Sequence, residues 1–499
     1  MKTNKALGFL RMPNNEHLMP ALLGYAAEIS KIAGFASRDS YKIQLAVEEA
    51  CLNLMKTSFL PGEEGVYDVE FIQRLDGIEI HIHDMGLPYD PALTPDYDPR
   101  ADLMEQDMEG LGSFLIRETM DEYQFNNLGV KGKEVVLIKY FDTPRIASEQ
   151  EEPKEAEVVK PPAAKKPVEQ IPFEIRQMQP DEALEVCRCI YDCYGYSYAN
   201  ENVYFPERLA AMNQESKLLS SVAVTPEGEI GGHFAIIFHE KLPAEMGIAV
   251  TKKKFRGQGF ARESAVFLEK SAIERGHKGM QVKEVTAHPY TQKFCMKLGY
   301  MDCGLLLGHS PKSLSFKGIA DTLKQRNSDV LGFKYFSEPE MRRIFAPEQH
   351  KDMILRLFQN VGVEAESLSS HITEAEKEHG IMEVKVHTLR SLAELLIFEI
   401  GNDTIPVLRH EMRKLFIDEI QVFELYLSLN DPMTPLIVPE LEQMGYIFTG
   451  ILPEADMGDA LIMQYFNGVY VDYDQIVLVS ELAQELLAYI KRNDPRAEG

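Results

Sequence analysis

Apolar positions near the start of the chain recur three and four residues apart. HLMPALLGYAAEISKIAGF (17–35) and DSYKIQLAVEEACLNLMKTSF (39–59) therefore predict two amphipathic helices. The period changes to two in VYDVEFIQRLDGIEIHIHDMG (66–86), which predicts paired strands. A short helical pattern, GLGSFLIRETMDEYQF, and a last strand, KEVVLIKYF, complete an α+β sandwich. The pattern then stops. From Pro144 to Pro172, prolines and charges of both signs replace any periodicity, which predicts a solvated linker.

Beyond the linker, FEIRQMQPDEALEVCRCIYDCYG reads as strand, turn and helix, and SSVAVTPEGEIGGHFAIIFHE as a hairpin turning at Pro226-Glu227-Gly228. The strand EMGIAVT, the helix ARESAVFLEKSAIERG and the strand MQVKEVTAH follow, so the middle region is a mixed-sheet α/β domain. HPYTQKFCMKLGYMDCGLLLG (288–308) is echoed by NDPMTPLIVPELEQMGYIFTGILP (430–453): Pro, Thr, a helical stretch, Gly-Tyr and an apolar strand. The later copy has no glycine loop ahead of it. At roughly 150 residues per domain, 499 residues make about three domains. The expected boundaries are 1–143, a linker at 144–172, 173–334, and a degenerate copy at 335–499.

Composition narrows the partners. A net charge of −26 argues against general binding of nucleic acid or anionic membrane, so any phosphate site is local. No run approaches the roughly 18 apolar residues of a membrane span, and MKTNKALGFLRMPNNEHL lacks a leader pattern. The expectation is a cytoplasmic protein with neither a nucleic-acid nor a membrane partner. Three of the six cysteines fall in VCRCIYDC, which reads as reduced thiols on a helix. His350, His371, His379, His387 and His410 are scattered and read as structural or surface residues.

Two segments carry chemistry. In VTKKKFRGQGFARESA (250–265) a strand ends in a turn with two glycines and runs into a helix, a place for an anion at a positive helix end. Arg256-x-x-Gly259-x-Ala261 after GIAV resembles the acetyl-CoA motif of the GNAT N-acetyltransferase superfamily, over residues 173 to 310. The resemblance implies that the Val250 backbone meets the pantetheine arm and that Arg256, Gly257, Gln258, Gly259 and Ala261 cradle the pyrophosphate. In the second motif, His288 and Cys295 stand where the family often has asparagine and tyrosine. A proton donor to the departing thiolate then falls to Cys295, Tyr300 or a water. Glu245 occupies the place of the family's frequent base, with His233 and Glu240 as weaker alternatives. The tyrosine-rich 193–209 segment corresponds to the family's acceptor pocket.

In the N-terminal region, Glu49 and Asn53 lie at i and i+4 on one helical face, where a carboxylate and an amide oxygen can converge on a metal-bound phosphate chain. Asp84, Gly86 and Pro88 form a tight loop after a strand, and Gly110 and Gly112 open another helix. Together these resemble the GHKL ATPases, specifically the serine-kinase anti-sigma factors, over residues 8 to 142. The resemblance implies Mg²⁺ on Asn53, adenine on Asp84, a nucleotide pocket shaped by Gly86, Gly110 and Gly112, and Glu49 as base. Thr57 stands where the family has histidine.

The combined expectation is an acetyl-CoA-dependent N-acetyltransferase acting on a small-molecule or peptide amine, joined to an ATP- and Mg²⁺-binding kinase-like domain. That domain would have an anti-anti-sigma-like or sigma-factor partner. The alternative is a non-catalytic sensor of nucleotide and acyl-CoA.

Overall fold

The computed structural model describes residues 5–74, 76–89, 91, 97, 110–141, 171–198, 200–314 and 323–497. Nearly all of the expected linker lies outside these residues. The chain forms two compact units. The first holds Met1–Glu169 with Ala183–Tyr191 and Glu201–Leu209; the second holds Gln170–Glu182, Asp192–Asn200 and Ala210–Gly499.

The first unit contains β1 (Lys5–Pro13), α1 (Met19–Ala33), α2 (Ser37–Ser58), β2 (Val66–Gln73), β3 (Gly77–Asp84), α3 (Leu111–Thr119), β4 (Glu122–Asn127) and β5 (Lys133–Tyr140). Its antiparallel sheet runs β1-β2-β3-β5-β4. α1 has a proline in its first turn and ends at Gly34, whose φ of 105° is left-handed. Val69 and Phe71 of β2 and Ile78, Ile80 and Ile82 of β3 point one way, into a core shared with Ile43, Val47 and Ala50 of α2. Asp84 is the next member of that row, so strand alternation delivers it to the helix-covered face.

The chain continues through β6 (Glu174–Gln177), α4 (Ala183–Tyr194), α5 (Pro206–Gln214), β7 (Leu218–Val224), β8 (Ile230–Ile237), β9 (Glu245–Thr251), α6 (Phe260–Glu274), β10 (Gly279–Val285), α7 (Tyr290–Leu298), β11 (Met301–Ser310) and β12 (Asn327–Tyr335). The short β13 (Arg342–Ile344), α8 (Lys351–Asn360) and β14 (Ala365–Ser367) lead into a second series. It comprises β15 (Ile381–His387), β16 (Leu392–Glu399), α9 (Thr404–Ile417), β17 (Val422–Ser428), α10 (Thr434–Gln443), β18 (Ile447–Ala455), β19 (Gly458–Phe466) and α11 (Glu481–Asn493).

Twelve strands of the second unit form one sheet, ordered β15-β16-β17-β19-β18-β11-β12-β10-β9-β8-β7-β6. Ten of these strands, β15 to β8, are palindromic about the β18–β11 junction, with β16, α9, β17, α10, β18 and β19 repeating β9, α6, β10, α7, β11 and β12, while β7 and β6 have no counterpart. The sequence echo is thus a repeat of topology. LGYMDCG (298–304) and MGYIFTG (444–450) align without a gap, and their last glycines, Gly304 and Gly450, are the antiparallel pair at the junction. A side chain on Gly450 would stand 2.3 Å from the Gly304 Cα, so the two strands meet where both lack a Cβ. α8 and α11 pack against both junction strands.

The halves differ at their parallel crossovers. β16 and β17 stay in register over six residue pairs, from Leu392↔Val422 to Ile397↔Leu427. β9 and β10 pair only at Glu245↔Gln281 and Met246↔Val282. Past Met246, β9 carries a bulge opposite β8, and Ile248 sits there at φ 49°, unusual for a β-branched residue. His233 holds the bulge by donating Nδ1–H to the Ile248 carbonyl at 3.0 Å.

Candidate functional sites

In the first unit, Glu49, Asn53 and Thr57 descend one side of α2, Ser58 closes the helix, and α3 begins against Glu49 and Asn53. A Cβ on Gly112 would lie 2.7 Å from Asn53 Nδ2 and 2.9 Å from Glu49 Oε2, so only glycine lets α3 approach these groups. Gly86 is pressed onto the end of α2 in the same way, with Ser58 O 2.3 Å from its would-be Cβ. Its N–H donates to Asp84 Oδ1 at 2.8 Å. Gly110 precedes α3 as an N-cap without a side-chain cap. Asn53, Thr57, Ser58, Asp84, Tyr123 and Lys133 line a cavity of about 440 Å³, counting its open mouth. Asn53 and Asp84 thus line one pocket, and Gly112 and Gly86 adjoin two of its lining residues, Asn53 and Ser58.

Burial raises the proton affinity of Glu49, helped by neighbouring Glu48 and opposed by Lys56, which suits a base. Ser58 Oγ is buried without a hydrogen-bond partner. The orphaned hydroxyl, the glycine approach and the oxygen donors on α2 fit a nucleotide with its magnesium ion. The sequence reading missed Lys133, whose Nζ lies 2.5 Å from Asp84 Oδ1. The two residues are direct cross-strand partners of β3 and β5. Burial lowers the proton affinity of Lys133, and Asp84 opposes that.

In the second unit, Gly257 and Gly259 are both left-handed, at φ 88° and 94°, and α6 starts at Phe260 with no side-chain cap. Ala261 lies in its first turn. The diverging β9, including Val250, borders this turn. Backbone geometry of this kind fits a diphosphate at a helix N-terminus. The lysines just before it are engaged elsewhere, Lys252 and Lys254 reaching Glu229 at 3.2 and 2.7 Å. Gln258 is buried, and its Oε1 accepts from the Ile171 N–H at 3.0 Å. That side chain ties down the segment entering the domain, which leaves only its backbone for a cradle. Arg256 lies beside the Cys193 thiol.

Three expected catalytic roles need correction. Cys295 and Tyr300 sit in the apolar core with Phe234, Met246, Leu268 and Val282. Burial first, then Glu284 for the thiol and Glu269 for the phenol, push both groups well above their ordinary range, so neither is poised to give up a proton. Glu245 is buried 3.0 Å from the Lys283 ammonium and 3.1 Å from His239 Nε2. Burial alone would raise its proton affinity, but Lys283 and His239 override that and hold the carboxyl well below the usual range. It is an ion-pair partner and a poor base. His233 is neutral at physiological pH, since burial lowers it to about 4, and its Nε2 accepts from Ser220 Oγ at 2.9 Å. Glu240 is exposed, and His288 is buried with its ring 5.3 Å from that of Tyr290.

Among the described residues the second half presents no equivalent glycine turn. The start of α9 is stitched to the preceding segment: Asn402 N–H donates to Lys377 O, Asp403 N–H to Glu378 O, and Gly380 N–H to Asp403 Oδ1. A Cβ on Gly401 would lie 2.4 Å from the Gly380 nitrogen, so no ligand-sized gap remains there. Among the described residues no helix is long and apolar enough to cross a membrane.

Residues 12–139 match the family model for the histidine kinase-like ATPase domain. Over 123 residues the chain is 30% identical to the serine-protein kinase RsbW of Listeria monocytogenes, covering 24% of this chain and 76% of that protein. It is 28% identical to RsbW of Bacillus subtilis over 151 residues, 27% of this chain and 92% of that protein. Among solved structures, similarity extends to an N-acetyltransferase from Staphylococcus aureus (15% identity, 33% of this chain, 99% of that chain, TM-score 0.27). It extends also to the PaiA N-acetyltransferase of Thermoplasma acidophilum, solved in complex with coenzyme A (13% identity, 33% and 100% coverage, TM-score 0.25). With its α2 oxygen donors, its Asp84 loop and its glycine-opened α3 in one pocket, the chain belongs through its N-terminal unit to the family of RsbW serine-protein kinases.

Proposed function

We propose that this protein joins an ATP-binding, kinase-type domain to an acetyl-CoA-dependent N-acetyltransferase acting on an amine. The observation that supports the second activity best is the parting of β9 from β10 beside the left-handed glycines that start α6. The parted strand leaves backbone amides and carbonyls near Val250 unpaired by β10, ready to orient an extended amide-bearing arm. The N-terminus of α6 takes the diphosphate through backbone N–H groups. Acetyl-CoA supplies an activated thioester; the chain supplies alignment and a backbone donor for the carbonyl oxygen. In the first unit, Asn53 holds Mg²⁺, and Glu49 accepts the proton of a hydroxyl from a serine or threonine of a protein partner. We assign the protein to the cytoplasm, where both nucleotide and acyl donor are at hand.

The burial of Cys295 and Tyr300 and the neutralisation of Glu245 favour a second reading, in which acetyl-CoA binds as a signal and is not consumed. One experiment separates the two. The full chain is heated with millimolar acetyl-CoA, and thiol release is followed over a panel of amines and peptides. Raised thermal stability with thiol release supports transfer; raised stability with no release on any acceptor supports sensing; no rise removes the acyl-donor assignment. In parallel, Asn53→Ala is expected to lose Mg²⁺-dependent ATP binding by tenfold or more, and equal binding would remove the metal role.

A further inference from the structure

One buried side chain of the nucleotide pocket has no part in the activity described so far. Lys133 opens β5, is 4% exposed and lines the same cavity as Asn53, Thr57 and Ser58. An ammonium carries three N–H donors. Among the described residues, Lys133 Nζ makes one hydrogen bond, to Asp84 Oδ1. The same oxygen also takes the Gly86 N–H, whereas Asp84 Oδ2 takes no donor among the described residues. The floor of the cavity therefore presents one open carboxylate oxygen beside a cation with donors to spare.

A flat heterocycle that matches this floor has one N–H donor next to one ring acceptor. The Watson–Crick edge of adenine has that arrangement, with the exocyclic N6 amino group beside ring N1. Guanine presents O6, N1–H and N2–H in a row, so pairing O6 with Lys133 and N1–H with Asp84 Oδ2 leaves N2–H facing the pocket without an acceptor. A salt-bridged lysine in this place is also costly to keep for stability alone, since a buried ion pair rarely outperforms apolar packing.

We infer that Lys133 is a specificity-determining residue that donates a hydrogen bond to ring N1 of an adenine nucleotide whose N6 amino group rests on Asp84 Oδ2. The inference rests on the ATP reading of the first unit. It makes the base edge read by a charged pair from neighbouring strands, with Asp84 as acceptor and Lys133 as donor. Ser58, at the end of α2, forms part of the same buried wall.

The test compares MgATP with Mg-1-deaza-ATP, in which N1 is replaced by C–H, and with MgGTP, by calorimetry on the full chain. The wild-type protein is expected to bind 1-deaza-ATP and GTP at least tenfold more weakly than ATP. Lys133→Met should bring ATP down to the affinity of 1-deaza-ATP and make the two indistinguishable. Lys133→Gln keeps an N–H donor without the charge and should retain part of the preference; it also serves if Lys133→Met misfolds around an unpaired Asp84. Equal wild-type affinity for ATP and 1-deaza-ATP would overturn the inference while leaving the ATP reading intact. Tighter ATP binding by Lys133→Met than by wild type would also overturn it, since the ammonium would then be obstructing the base. If no purine triphosphate binds the wild-type protein or either variant, the ATP reading fails and the inference with it.

Discussion

The two parallel crossovers of the twelve-stranded sheet share a topology and differ in what they leave open. β16 and β17 are zipped over six pairs, and the start of α9 is tied to residues 377–380. β9 leaves β10 after two pairs, and α6 starts from two left-handed glycines. A single bulge at Ile248 and two glycines thus distinguish a crossover that opens from one that stays zipped. The buried carboxylates of the equivalent strands differ too. Glu424 on β17 is met by His309 at 2.8 Å, Gln464 at 3.2 Å and Tyr426 at 3.2 Å. Neither oxygen of Glu284 on β10 has a close hydrogen-bond partner among the described residues, its polar neighbour being the Cys295 thiol. Burial, reinforced by Asp302, pushes Glu284 up to about 9, while His309 helps to hold Glu424 below its ordinary range against the effect of burial.

The junction between the halves offers the sharpest break. Gly450→Ala would drive a Cβ to 2.3 Å from Gly304 Cα and 2.7 Å from Cys303 O. It should destabilise the second unit by about 4 kcal/mol in urea unfolding. Gly304→Ala meets Leu331 and Gly450 only at 3.4 and 3.5 Å and should cost about 1 kcal/mol. Equal losses would mean that the strands do not approach as closely as described.

Next in size is the cradle. At acetyl-CoA concentrations about a hundredfold above its dissociation constant, the wild-type chain should gain roughly 2.7 kcal/mol. Gly259→Glu, which sets a carboxylate and a strained backbone against the diphosphate, should remove that gain. Asp403→Asn at the start of α9 should leave it unchanged. A ligand-induced shift that survived Gly259→Glu but vanished in Asp403→Asn would reverse the assignment of the two halves.

The carboxylate pair gives an effect of opposite sign in each half. Glu284 holds its proton more tightly folded than unfolded, so its contribution is full below pH about 4.3 and is lost as pH rises toward 9. Glu284→Gln should therefore gain on the order of 2 kcal/mol over wild type at pH 8 and flatten the stability profile between pH 5 and 9. Glu424, with its depressed value, contributes above the unfolded value and loses that contribution as pH falls. Glu424→Gln should destabilise at pH 7 and converge on wild type in acid. Parallel profiles for the two variants would contradict the difference in their surroundings.

Features encoded by local periodicity were legible in the sequence. The i, i+4 spacing of Glu49 and Asn53 puts both on the face of α2 that α3 approaches, and the alternation ending at Asp84 carries that residue to the helix-covered side of the sheet. The glycine turn before α6 and the Gly-Tyr echo were equally plain, since each is a feature of consecutive residues. What the sequence left hidden depends on neighbours far along the chain. Lys133 meets Asp84 only through the β3–β5 register, 49 residues apart. Glu245 is neutralised by Lys283 from the next strand, which turns a plausible base into half of an ion pair. Cys295 and Tyr300 were expected as proton donors from their places in the second motif, and only packing shows that both side chains face the core.

The meeting of Gly304 and Gly450 has a consequence for how the two halves can change. In a dimer of identical subunits a two-fold junction is isologous, so every substitution appears on both sides of the axis at once. Here the two sides are separate positions on one chain. Gly450 has the more unusual backbone, at φ 155°, and the tighter surroundings, while Gly304 has room for a methyl group. Covalent continuity has released the junction from symmetry, so that one half can keep an open crossover while the other closes its own.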